Sequence, residues 1–176
     1  MSNINKKPPV YDPIQVQPLK EELFFVGFEE VDSPELLDEI LSAKNDQTVL
    51  MVVNSVCGCA AGGARPGVSL ALQNNIIPDR LITAFAGQER ETIELLREKY
   101  LASFPPSSPC MALFKNGQLL YFMPRLNIEG YAPEDIAAEL MNVFNTHCSR
   151  KGPSIPAEKY AQMIHQKVCG HDYSMN

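Results

Sequence analysis

Two cysteines separated by a single glycine, Cys57-Gly58-Cys59, are the residues of this chain best suited to chemistry. A thiol becomes reactive as its thiolate, the attacking species in thiol–disulfide exchange, and backbone N–H groups at a helix N-terminus stabilise that charge. A disulfide between the two would close a ring of about 11 atoms under demanding limits on torsion and Cα separation, so it is expected to be strained. Strain raises the reduction potential, which suits a disulfide acceptor, an isomerase, or a site that uses one cysteine at a time. Gly58 offers the backbone freedom the turn needs. Between Gln47 and Pro78 the only other ionisable group is Arg65. Thiolate stabilisation is therefore expected from the helix dipole, local N–H donors and that one cation, with no general base nearby. Arg65 has two readings: a solvated residue beside Pro66, or a guanidinium fork that meets the carboxylate of a small thiol. The bland alternative for Cys57 and Cys59 is a pair of small core residues.

Five cysteines is an odd number, and in a reducing compartment such residues serve catalysis, metal binding or packing more often than structural bridges. Cys110 opens an apolar run and reads as buried and inert, although its place next to Pro109 leaves open a position near the pair. Cys148 reads as a helix-end packing residue and Cys169 as a tail thiol. On paper Cys57, Cys59, Cys169 and His171 compose a Cys₃His zinc site, but zinc ligand pairs favour two to four intervening residues and the second pair lies in a tail. No metal is expected.

The elements that must position the pair follow from periodicity. Thr48 to Val53 is a short, uniformly apolar, β-branched run, as expected for a central strand buried on both faces of a partly parallel sheet. It delivers the cysteines to a following helix. Leu81 to Ala86 is a second strand, and Glu89 to Leu101 a helix. Two further strands, Cys110 to Lys115 and Gln118 to Met123, are joined by Asn116-Gly117, the strongest short hairpin signal. Ser33-Pro34-Glu35 starts a helix with an N-cap, a proline at the first helical position and an acid facing the dipole. Pro133-Glu134-Asp135 opens another, with Ala132 a poor cap. A short helix within Ile14 to Phe25 and a weak strand over Phe28 to Val31 complete an α/β chain with a central mixed sheet flanked by helices. The expected organisation is a mobile arm over residues 1–13, a domain over 14–148 and an appendage over 149–176. That appendage is expected to be dispensable for thiol chemistry; whether it packs on the domain, pairs with another subunit or stays loose is left open.

With 176 residues, 45% hydrophobic and 20% charged, the chain is able to bury a core, which excludes disordered, collagenous and disulfide-stapled classes. The net charge of −6 removes the positive field that nucleic acid requires. The longest apolar run, Val49 to Val53, is far below the roughly 18 residues of a membrane span. The N-terminus lacks the apolar core of an export signal. A soluble, cytoplasmic protein with no nucleic-acid or membrane partner is expected.

The block from Asn54 through Cys57-Gly58-Cys59 to Gly67, with Phe85-Ala86-Gly87-Gln88, Pro105-Pro106-Ser107-Ser108-Pro109, Pro124-Arg125 and Ile128-Glu129-Gly130, resembles the bacilliredoxins, over about residues 16 to 148. The resemblance implies a thioredoxin-like fold and a thiol–disulfide oxidoreductase that removes bacillithiol, or a similar low-molecular-weight thiol, from mixed disulfides on client proteins. It implies Cys57 as the attacking thiol and Cys59 as the second cysteine. No bound cofactor is implied; the small thiol is a co-substrate and S-thiolated proteins are the partners. In folds of this kind the residue before the hairpin's first strand is a cis-proline facing the cysteine pair, which makes Ser108 and Pro109 substrate-facing candidates together with Gly58 and Arg65. The helix-terminus argument agrees on the order of attack: Cys57 precedes the helix, whereas Cys59 lies two residues further in and is expected to be more covered.

Overall fold

The computed structural model describes residues 6–163 and His165. Helix α1 (Pro13–Phe25) starts on Asp12, whose carboxylate accepts from the Ile14 N–H at 2.9 Å, and retains Pro18 inside it. Strand β1 (Glu29–Glu30) leads to α2 (Pro34–Ser42), where Ser33 caps the helix by accepting from the Leu36 N–H at 3.3 Å. Strand β2 (Thr48–Asn54) is followed by a π-helical turn (Ala60–Ala64) that runs into α3 (Arg65–Ala71). Then come β3 (Ile76–Ile77), β4 (Arg80–Phe85) and α4 (Arg90–Leu95), the last prolonged by a second π-helical turn (Leu96–Tyr100). The hairpin β5 (Cys110–Lys115) and β6 (Gln118–Met123) precedes a 3₁₀ turn (Arg125–Asn127), α5 (Pro133–His147), β7 (Arg150–Lys151) and α6 (Ala157–Tyr160).

Five strands form one sheet in the order β1-β4-β2-β5-β6. The first three run parallel; β5 is antiparallel to β2, and β6, antiparallel to β5, runs in the direction of the first three. That order and polarity are those of a thioredoxin-like α/β fold. The hairpin turns where Asn116-Gly117 stands, with φ of 53° and 78°, the left-handed pair that matches the twist of its strands.

Strand β2 is buried throughout, and its alternating side chains feed two cores. Leu50 and Val52 join Val68, Leu72, Ile136, Leu140 and Phe144 beneath α3 and α5. Val49, Met51 and Val53 join Leu37, Leu41, Ile93 and Leu96 beneath α2 and α4. The π-helical turns were not expected from the sequence, and neither was the small β3–β7 ribbon, in which Ile76 and Ile77 pair with Lys151 and Arg150.

The described parts of both terminal segments lie on this domain. The segment expected as an arm over residues 1–13 reaches Gly87-Gln88 at its C-terminal end: the Val10 N–H donates to the Gly87 carbonyl at 2.7 Å, and Gln88 exchanges two bonds with the Tyr11 backbone. Of the three options open for residues 149–176, the part up to α6 packs on the domain. The Gly152 and Ser154 N–H groups donate to the Asn75 and Leu72 carbonyls, and Ile155 is buried in the α3–α5 core. Among the described residues no helix is long and apolar enough to cross a membrane.

Candidate active site

The site is built at the end of β2. The Asn54 side chain donates to the Leu19 carbonyl at 3.0 Å and accepts from the Ser55 N–H at 2.9 Å, which fixes where the strand stops. Ser55 Oγ accepts from the Cys57 N–H at 3.1 Å. Cys57 then acts as the helix cap: its carbonyl accepts from the Ala60 and Ala61 N–H groups at 3.1 and 3.2 Å, and its Sγ accepts from Ala60 N–H at 3.4 Å. The sulfur therefore sits among donors that the first turn of any helix leaves unpaired.

Both cysteines are free thiols and both are half-buried, so Cys59 is not the more covered of the two. They differ in electrostatics. Burial is the largest influence on Cys57 and pushes its thiol up, but hydrogen bonds from Cys59, Ser55 and the backbone of Ala60 and Cys59 outweigh it, leaving Cys57 below the ordinary thiol range. Burial also leads at Cys59; there the neighbouring Cys57 adds to it, and the thiol is pushed up to about 11 despite the opposing charge of Arg125. The pair is thus polarised, Cys57 giving up its proton before Cys59. As pH rises, iodoacetamide should label Cys57 first and Cys59 only far into the alkaline range, as read by peptide mass spectrometry. Equal labelling of both at neutral pH would contradict this polarity.

Gly58 is exposed between the two sulfurs. Cys110 pairs with Val53 in the sheet, which sets buried Pro109 at the level of Asn54, and the Ser108–Pro109 bond is cis. Ser108 and Pro109 therefore share the sheet end that carries the cysteines. Arg65 requires a correction. It is not solvated but 1% exposed, ion-paired with the equally buried Glu22 of α1, with further bonds to Asn54 Oδ1 at 3.1 Å and the Ser55 carbonyl at 3.0 Å. Its fork braces the segment before Cys57 from within and does not face a substrate. A cation buried beside two acceptor groups and a carboxylate is stable only as part of such a satisfied network.

Cys110 and Cys148 lie apart from the pair. Cys110 is 2% exposed in the core beneath α2 and α4, across the sheet from the site helix, and burial pushes its thiol up to about 12. Cys148 ends α5 and contacts Thr48 at the opposite end of β2, about 20 Å along the strand from Asn54. Cys169 and His171 lie outside the described residues.

Two residues of the site were missed in the sequence. Ser55 was passed over because a serine after a strand signals a turn first. Arg125 pairs with Glu129 on the surface at 3.5 Å. Its turn, however, packs on the site helix: a Cβ on Gly63 would lie 3.2 Å from Ile128, so the glycine permits the close approach.

Comparison with known proteins places this geometry. Residues 11–148 match a family described as disulphide isomerase. A bacilliredoxin of Salinibacter ruber is 43% identical over 143 residues, covering 81% of this chain and 83% of that one. The chain belongs to the bacilliredoxin family. A bacilliredoxin of Halalkalibacterium halodurans is 47% identical over 133 residues, covering 76% of this chain and 91% of its own. Among solved structures, the thioredoxin of Malassezia sympodialis aligns at 12% identity with a TM-score of 0.45, covering 69% of this chain and 90% of that one. Bacilliredoxin membership makes this chain a thiol oxidoreductase, and the matched region contains every residue of the site described above, Glu22 and Arg125 included.

Proposed function

We propose that this bacilliredoxin removes bacillithiol, or a similar low-molecular-weight thiol, from mixed disulfides on cytoplasmic client proteins. The observation that carries the reading is the Cys57 sulfur, held on the Ala60 N–H at the helix start with its thiol below the ordinary range while that of Cys59 stands well above it. The Cys57 thiolate attacks the small-thiol sulfur of the mixed disulfide. A bond forms between Cys57 and the small-thiol sulfur, the disulfide bond between that sulfur and the client's sulfur breaks, and the client leaves as a thiolate. An external thiolate then attacks the small-thiol sulfur, leaves with it as a disulfide and frees the Cys57 thiolate; or Cys59, after losing its proton, attacks the Cys57 sulfur, releases the small thiol as a thiolate and forms the Cys57–Cys59 disulfide. No bound cofactor takes part.

The test is intact-mass spectrometry of the reduced protein mixed with a client that carries bacillithiol, with a glutathionylated client run in parallel. The expected result is gain of one small-thiol mass on Cys57 with matching loss from the client. A client that keeps its adduct in both arms would overturn the reading, and the ratio between arms identifies the preferred thiol. The description of the matched family favours a second reading, disulfide isomerisation, which instead requires regain of activity by a scrambled multi-disulfide protein.

A further inference from the structure

We propose that Arg125 anchors the carboxylate of the small thiol while Cys57 attacks its sulfur; this rests on the function proposed above and names the subsite it needs. Small thiols such as bacillithiol and glutathione carry carboxylates on the groups attached to their cysteine, at a distance from the sulfur, so an attacking site gains by holding that charge with a cation set apart from the nucleophile. The cation of the cysteine loop does not do it, because Arg65 is buried against Glu22. Arg125 stands at the mouth instead. Its side chain is 45% exposed, and its backbone N–H donates to Ser107 Oγ at 2.7 Å, which ties its turn to the loop that carries Ser108 and Pro109. On its other side the turn rests on the site helix through Ile128 and Gly63. The guanidinium is close enough for its charge to act on the sulfurs of both Cys57 and Cys59.

The partner it has at rest is a weak one. Glu129, one helical turn on, meets Arg125 through two long contacts, Nε to Oε2 and Nη2 to Oε1, each at 3.5 Å, with 58% of its own side chain exposed, an arrangement of small energetic worth that shorter bonds to a ligand carboxylate are able to displace. A planar fork meeting a carboxylate with two parallel bonds is stronger and fixes the ligand's orientation.

The experiment compares one client carrying either an anionic adduct, bacillithiol or glutathione, or the neutral adduct of 2-mercaptoethanol. The readout is the ratio of kcat/KM for the anionic and the neutral adduct, in which any effect of Arg125 on the Cys57 thiolate cancels. Arg125→Ala should lower that ratio about tenfold, through KM, and Arg125→Lys should restore part of it. Raised salt should shrink the wild-type ratio toward that of Arg125→Ala. A ratio equal in wild type and Arg125→Ala would overturn the inference alone. Wild-type protein that turns over neither adduct would overturn the underlying function and the inference with it.

Discussion

Cys57→Ser should abolish removal of the small thiol from a client, while Cys59→Ser should still accept it and accumulate as a Cys57 mixed disulfide. A hydroxyl at Cys57 cannot supply the thiolate that attacks the disulfide, so the loss is complete rather than partial. At Cys59 the substitution removes a neighbour whose thiol stands near 11, and the Ala60 and Ser55 contacts of Cys57 remain. What it takes away is the internal exit, leaving release to an external thiol. Intact-mass spectrometry after a single exposure to an S-thiolated client separates the two variants. If Cys57→Ser were the variant that trapped the adduct, the helix-start argument would fail for this site.

The second large effect concerns stability. Arg65→Met takes the guanidinium away from the buried Glu22 carboxylate, and removing one partner of a buried pair costs about 3–5 kcal/mol. Against a typical total of roughly 5–15 kcal/mol, that loss moves the urea midpoint far down. The double variant Glu22→Leu, Arg65→Met removes both charges and should be more stable than Arg65→Met alone, because the desolvation of both groups is then avoided. A double variant as unstable as the sum of the singles would mean that the two residues act independently.

The fold was largely legible because its central elements obey local rules. The apolar run from Thr48 to Val53 has no polar position for solvent, so it reads as a strand covered on both faces, and Asn116-Gly117 supplies the left-handed pair its hairpin demands. The cysteine pair was legible because its chemistry lies within three consecutive residues. The Arg65 brace was not, since its counter-charge is 43 residues away on a helix where Glu22 looks like any surface acid. Arg125 was half legible: the Pro124-Arg125 pair stood out as part of the family resemblance, but only the packing of Ile128 on Gly63 brings its turn against the site helix. The β3–β7 ribbon has two residues per strand, too few for any periodicity to register.

That ribbon makes the unfolding of the chain uneven. Two residue pairs and the neighbouring bonds to Asn75 and Leu72 hold residues 150–154, whereas the five-stranded sheet is held by whole ladders on both sides of β2. Backbone amides protected by so few neighbours exchange with solvent through local opening, at a free energy well below that of global unfolding. Each such opening wets Ile77 and Ile155 and frees the chain after α5 as a strap accessible to proteases, while the ladders that carry the sulfur pair stay closed. Residues 149–163 are therefore expected to open first under heat or denaturant, ahead of the ladders that carry the redox end of the sheet.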